Sequence, residues 1–436
     1  MEHEFTKDTI KAGYKNVKLF PIYKMLSWDM LFYYSMLFLF LIEVKGLSPA
    51  QFIYIDAFYT VFKIFFQIPC TALIDKIGKR NSLIIANFFV TISIFMIIFS
   101  TGFSSILLAH LLQAFGFTIK GIAESLILFD SIETTSGKKS FSKVDGMGSA
   151  FYYYFESITC LISGFLYVIN PYIPFVVCLI FATISTLLSF KFKEISIPKG
   201  MAENAVELTL SQRVQSYMSG LRHAFKFIFK SGRLRSFIIF AALFNSFLCL
   251  VGTYRRGLAK DLGMPAQYFG ILWAVYGILT GLASQSQHKF HEKFRNKSLS
   301  VLSLTLTISS IVVSILALIH LNNLAALSLI VVIYGLQYIV KGPYYTLQKK
   351  YMNNFSDSEI RTKIYSAMSF IESFFRCIIA FLGGLLLDYM PTANAFLIFG
   401  IFSTITIAMA LKYMKTRFGL KPEEYKKSDI EYVALK

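Results

Sequence analysis

The chain has 436 residues, 55% of them hydrophobic and only 16% charged, with a mean hydropathy of +0.58. Soluble domains carry nearer a quarter charged residues, which argues against a water-soluble enzyme. Ten scattered prolines and no long polar tract argue against a disordered or fibrous chain. A net charge of +18 would point to nucleic acid in a soluble protein, but its distribution here has another meaning.

A helix needs about 20 apolar residues to cross ~30 Å of hydrocarbon. In chain order, twelve stretches meet that demand: 25–43, 50–74, 83–100, 105–131, 146–169, 172–190, 235–256, 266–288, 299–319, 324–348, 364–387 and 392–411. They are too long for barrel strands. The first of them follows Lys7, Lys11, Lys15, Lys18 and Lys24, with no cleavage-like site after a short apolar core, so a retained cytoplasmic N-terminus is expected. The outer loops hold only Lys45, Arg255, Arg256 and Lys260, and the spans only Lys63, Lys120, Lys341 and Arg376. The rest of the 43 basic residues fall on the assigned inner side, which places both termini in the cytoplasm of a cell membrane. The basic charge is therefore a topology signal, and no nucleic-acid partner is expected.

The cysteines, Cys70, Cys160, Cys178, Cys249 and Cys377, lie in or at the ends of apolar spans without a CxxC pair or a metal-spaced cluster. They read as small buried hydrophobes. His288 and His291 share a basic inner loop and read as solvated residues. No Walker loop, Rossmann glycine pattern or hydrolase elbow is present, so neither catalysis nor a cofactor is expected.

The two halves share a pattern. At one constant offset, Pro49-Ala50-Gln51-Phe52 matches Pro265-Ala266-Gln267-Tyr268, Ser82-Leu83 matches Ser298-Leu299, and Glu156-Ser157 matches Glu372-Ser373. Lys120-Gly121 finds Lys341-Gly342 at a slightly larger one. Six spans per half give a parallel repeat, related by an axis along the membrane normal. The expected organisation is an N-terminal six-helix bundle over 1–190, a linker over 191–234, and a C-terminal six-helix bundle with its tail over 235–436. In the linker, Leu210, Val214, Tyr217, Met218, Leu221, Phe225 and Ile228 recur at helical spacing among Arg213, Arg222, Lys226 and Lys230. That pattern suits an amphipathic helix lying on the inner leaflet.

Between the second and third spans runs Asp75-Lys76-Ile77-Gly78-Lys79-Arg80, an acid followed by basic residues around a glycine. This loop resembles the signature of the major facilitator superfamily, although the glycine that usually opens it is missing. Glu292-Lys293-Phe294-Arg295 is a degenerate echo in the second half. The resemblance implies an all-α polytopic fold of twelve transmembrane helices in two pseudo-symmetric six-helix bundles. It also implies a gating role for Asp75, Lys76, Gly78, Lys79 and Arg80, with a carboxylate latching one access state. Residues 146–154 lack the Gly-Pro pair of drug/proton antiporters, and the fourth span lacks their arginine, which lowers the weight of multidrug efflux.

Ionisable groups at mid-membrane are Asp29, Asp56, Lys63, Lys120, Glu124, Glu156, Lys341, Glu372 and Arg376. At ~3 kcal/mol each against lipid, they must face protein or water. They occupy spans one, two, four, five, ten and eleven, the helices that surround the central cavity in proteins resembling this superfamily. Lys120 and Glu124, and likewise Glu372 and Arg376, are spaced to pair along one helix face. The candidate substrate contacts are Lys120, Lys341, Arg376, Asp56, Lys63, Tyr153 and Trp273. The candidate proton carriers are Asp29, Glu124, Glu156 and Glu372. Arg255 and Arg256 are placed at the outer mouth as solvated rim charges.

The expectation is a monomeric secondary active transporter of a small zwitterionic or anionic solute, working by alternating access on a proton or other ion gradient. The alternatives are an efflux pump for drugs or lipid-like molecules and a transport-inactive membrane sensor or scaffold.

Overall fold

A computed structural model of the chain describes residues 6–135, 141–195, 210–294, 297–319, 323–355 and 358–418. Residues 196–209 of the linker, Arg295 of the second-half loop and the tail from 419 lie outside the described residues, as do the side chains of Leu210, Arg213, Val214 and Tyr217. Every regular element among the described residues is helical.

The first span departs most from expectation. Helix α1 covers Lys7–Ser27, opened by Thr6, whose hydroxyl accepts from the Thr9 N–H at 3.3 Å. It stops at the third residue of the apolar stretch, 25–43, expected to be one helix. Trp28–Tyr33 form a break in which Phe32 takes φ 64°, and α2 (Tyr34–Leu39) resumes and runs on as a π-helical turn over Phe40–Val44. A bulky residue at positive φ is uncommon, and apolar periodicity cannot reveal it.

The other helices follow the apolar stretches, several of them extended by some residues at one end. Helix α3 spans Pro49–Ile77 and bends by 50° where Pro69 removes a ladder donor. Then come α4 (Lys79–Phe99), α5 (Phe103–Thr134), α6 (Phe141–Ile169) and α7 (Ile173–Ser189). The amphipathic stretch of the linker is α8, Leu210–Lys230. The second half holds α9 (Gly232–Asp261), α10 (Ala266–Gln285), α11 (Gln287–Phe294), α12 (Ser298–Leu318), α13 (Asn323–Phe355), α14 (Ser358–Tyr389) and α15 (Thr392–Phe418). Among the described residues, nine helices are long and apolar enough to cross a membrane, ten with the bent α3. The broken segment Tyr34–Val44 and α7 are the shorter apolar helices. Together they are consistent with the twelve expected spans.

Hydroxyl side chains are carried in these apolar helices by bonding back to their own turns. Thr118 donates to the Ala114 carbonyl at 2.7 Å and Ser303 to that of Leu299 at 2.7 Å. Neither hydroxyl hydrogen is then left unbonded in an apolar surrounding. Bulky apolar side chains such as Phe65, Phe99, Ile169, Val332 and Met409 point outward, as a lipid solvent requires.

The described residues form two compact units. The first comprises Met1–Leu47, Phe58–Val214 and Ala266–Ala274, and the second Ser48–Ala57, Gln215–Pro265 and Val275–Lys436. The opening turns of α3 thus belong with the later helices, and those of α10 with the earlier ones. In the first unit, Val17, Phe20 and Tyr23 of α1 pack with Cys70 and Ile74 of α3, Leu83 and Ala86 of α4, and Ile119 and Ala123 of α5. Helices α4 and α5 touch at Gly116, where a Cβ would meet the Ala86 carbonyl at 2.9 Å. In the second unit α9 packs against α14 and α15, with Phe237, Phe240, Phe244 and Phe247 wholly buried. Tyr254 stacks on Phe396 and Phe399 at 5.2 and 5.3 Å between centroids.

Candidate functional site

In the first unit the in-span charges gather around the α1–α2 break. Lys120, on α5 and 3% exposed, donates its ammonium to the Ser27 carbonyl at the end of α1 and lies over the Phe117 ring, 4.5 Å from its centroid. It does not make the expected helical pair with Glu124. That carboxylate is buried one turn further in, and its Oε2 has no hydrogen-bond partner among the described residues. Lys120 had a closer acceptor, because the broken helix offers unpaired carbonyls at its end. Asp29 sits in the break, where Oδ1 accepts from the Met30 N–H at 2.9 Å, and it feels the charges of Lys120 and Lys63. Lys63 is exposed on α3, 5.5 Å from the Tyr59 ring centroid.

Sequence reasoning passed over Lys24, which it counted only as a topology signal. Its ammonium is buried 2.5 Å from Asp145 of α6 and 4.6 Å from the Trp28 ring centroid. Glu124 feels Lys120, Lys24 and Asp145 together. Tyr153 meets Trp28 and Tyr152 edge to face, at 5.1 and 5.7 Å. Glu156 is half-buried on α6, and Trp273 half-buried on α10.

The second unit holds a separate polar cluster. Arg376 of α14 bonds Asp56 of α3, with Nη2 at 2.9 Å from Oδ1 and 2.7 Å from Oδ2. The expected pair between Arg376 and Glu372 is not formed, because each has a partner on another helix. Glu372 Oε1 accepts from Asn245 of α9 and from Gln348 of α13, both at 2.7 Å. The Asp56–Arg376 pair lines a small cavity with Ser246, Cys249 and Thr253 of α9. Neutral amides carry no pattern that marks them from sequence; their one signal is the spacing of Asn245 and Cys249 on a single face of α9. Lys341 is exposed on α13, whose neighbour Gly342 packs on Ser284 of α10. Lys120 and Lys341, equivalent by the repeat, thus differ fully in burial.

Arg255 and Arg256 are not rim charges. Helix α9 continues past them to Asp261, and Arg255 is buried, its guanidinium 4.2 Å from the Tyr338 ring centroid and its Nη1 3.4 Å from Gln337 Oε1. Arg256 lies 5.3 Å from the Phe52 ring centroid. The histidine reading is corrected as well. His291 is buried in α11, bonds the Ser298 hydroxyl at 3.0 Å and sits edge-on to Tyr351.

Between α3 and α4 in the first unit, Gly78 takes φ 87°, a conformation that favours glycine. The Glu194 carboxylate caps α4, accepting from the N–H groups of Lys79 and Arg80 at 2.9 and 2.6 Å. The Lys79 ammonium pairs with Asp130 of α5, and Arg80 donates to the Phe190 carbonyl at 3.0 Å. Asp75 and Lys76 are exposed at the end of α3. Glu194 and Asp130 were missed because both lie at helix ends far from the loop in sequence.

These features define a polytopic transporter fold with charged interior clusters. Residues 19–338 match the Major Facilitator Superfamily, and the chain belongs to that family. Among solved structures, it superposes on the nucleoside transporter NupG with a TM-score of 0.72 at 14% identity, covering 93% of this chain and 99% of that one. A D-xylose-proton symporter gives 0.63 at 13%, covering 94% and 98%. A POT family transporter in complex with 5-aminolevulinic acid gives 0.63 at 13%, covering 94% and 96%. No curated protein matches the sequence.

Proposed function

We propose that this chain is a proton-coupled secondary transporter of a small zwitterionic or anionic solute in a cell membrane. The observation that carries this reading is the Asp56–Arg376 pair, with side chains 43% and 32% exposed beside a polar cavity. An ion pair left this accessible inside a membrane protein offers a carboxylate-bearing solute a guanidinium and an ammonium-bearing one a carboxylate. A site for greasy cations would instead be lined by aromatic and aliphatic groups. Glu372, one turn away and held by two amides, and the buried Glu124 of the first unit are the carboxylates suited to carry a proton. The similar solved structures include a nucleoside transporter, a sugar–proton symporter and a transporter in complex with 5-aminolevulinic acid, which supports a polar cargo.

The test is reconstitution into vesicles with a pH-sensitive dye inside, challenged in turn with amino acids, short peptides, nucleosides, sugars and organic anions. The expected result is a proton flux driven by one charged class and abolished in Arg376→Gln. Solute uptake undiminished by a protonophore would refute proton drive. Movement of lipophilic cations alone would refute the substrate class.

A further inference from the structure

The broken first span ends in an unusual way. A helix C-terminus leaves four carbonyls without intrahelical partners and carries a partial negative charge, which inside a membrane must be met by something other than water. At the end of α1 the helix's own cap meets one of these groups and neighbouring helices meet two more. The Lys24 carbonyl accepts from the Trp28 N–H at 2.9 Å, the Leu26 carbonyl from the Ser185 hydroxyl of α7 at 3.1 Å, and the Ser27 carbonyl from the Lys120 ammonium. The same ammonium faces the Phe117 ring and the charges of Asp29 and Glu124.

The cavity at the break is walled mostly by apolar side chains, among them Val90, Ile94, Phe117 and Phe181, with Ser27, Asp29, Asn87, Lys120 and Ser185 as its polar lining, and has room for a single water-sized species. The Ser27 side chain, on a residue only 4% exposed, borders that space. Carbonyl, carboxylate and hydroxyl oxygens at the end of an interrupted helix are the donors that hold alkali cations in membrane proteins. Here the positive charge is supplied by a side chain anchored on α5.

We propose that Lys120 is a tethered internal cation, standing where the Ser27 carbonyl and the Asp29 carboxylate would otherwise hold an alkali cation at the α1–α2 break, so that the native protein takes no dissolved sodium there. Removing the side chain opens the site to a free monovalent cation, with the Ser27 carbonyl and the Asp29 carboxylate as its main ligands. A merely structural lysine makes no such demand, because its loss would destabilise the fold equally in any salt.

The experiment is thermal unfolding of the detergent-solubilised full chain in Na+, Li+, K+ or N-methylglucamine chloride at constant ionic strength. It compares the native protein with Lys120→Ala, which empties the space, and Lys120→Met, which fills it without charge. The expected result is a saturable rise of a few degrees in the melting temperature of Lys120→Ala with Na+ or Li+, and no cation preference in the native protein or in Lys120→Met. In the double variant Lys120→Ala/Asp29→Asn the rise is lost. A native protein that is itself stabilised saturably by Na+ overturns the proposal. So does a folded Lys120→Ala indifferent to all the alkali cations, or a response that survives loss of the Asp29 carboxylate. Should Lys120→Ala not fold in N-methylglucamine, purification in Na+ reads the same property: recovery of folded protein supports the proposal, and failure in every cation overturns it. No solute is involved, so failure here leaves the transport reading standing.

Discussion

One guanidinium nitrogen of Arg376 sits between the two carboxylate oxygens of Asp56, tying α14 to the opening turns of α3 across 320 residues of sequence. Both side chains are about a third or more exposed, so solvent screens the pair. Asp56→Ala and Arg376→Ala are each expected to lower the melting temperature. The double variant should fall short of their sum by a coupling of about 1 kcal/mol. Arg376→Lys should not recover the native value, because an ammonium lacks the planar donor array. A double-mutant cycle by thermal unfolding measures this.

Glu372→Gln separates fold from coupling. A glutamine oxygen can still accept from Asn245 and Gln348, so the melting temperature should stay close to native. Solute-driven proton flux in vesicles should disappear, because an amide carries no exchangeable charge. A variant that unfolds, or one that keeps full flux, speaks against the assignment of Glu372.

The α3–α4 turn depends on glycine geometry. At φ 87° a Cβ is strained, and one on Gly78 would also touch the Glu194 carboxylate at 3.4 Å. Gly78→Ala is expected to cost about 1–3 kcal/mol, and Glu194→Ala about 1 kcal/mol for the lost cap of α4. Thermal melts of the two variants and their combination check both values. They should be less than additive, since the cap relies on the turn.

Acid sensitivity is expected from His291, which lies between the spans. Burial, reinforced by the Lys350 charge and opposed by Glu292, holds its imidazole below the ordinary 6.5. Unfolding therefore takes up a proton in the interval below 6.5, so this contribution to stability is complete above that pH and is lost as pH falls through it. His291→Gln should flatten the decline of melting temperature between about pH 7 and pH 5. An unchanged slope would assign the decline to other groups.

Gly164 of α6 and Gly270 of α10 allow close helix approach in the first unit. A Cβ on Gly164 would lie 2.7 Å from the Gln267 carbonyl oxygen and 2.8 Å from its Cα, both backbone atoms that cannot yield cheaply. Gly164→Ala is expected to lower stability by about 1–3 kcal/mol, measured by thermal unfolding. Gly121, with open space at its Cβ, serves as the tolerant control.

Much of the architecture was legible because apolar length is a one-dimensional property. Apolar stretches located the helices, and the seven apolar residues at helical spacing from Leu210 to Ile228 placed the amphipathic α8. What stayed hidden was local or three-dimensional. A positive φ at Phe32 leaves no mark on hydropathy, so the first span read as unbroken. Charge was taken as a sign of water at Arg255, whereas two tyrosine faces and Gln337 accommodate it inside α9 and α13. Helical spacing suggested partners for Lys120 and Arg376 on their own helices, but packing offered better acceptors from Ser27 and Asp56. The pairs that packing makes are thus not the ones that helical spacing suggested.

The interchange of opening turns, with Ser48–Ala57 in one unit and Ala266–Ala274 in the other, has a consequence for biosynthesis. The earlier unit waits for a stretch that leaves the ribosome only after the linker and α9, so it cannot mature fully during translation of its own half. Nascent chains arrested before residue 266 should be left with the α6 surface around Gly164 uncovered. They should be clipped there by protease, until the missing turns arrive.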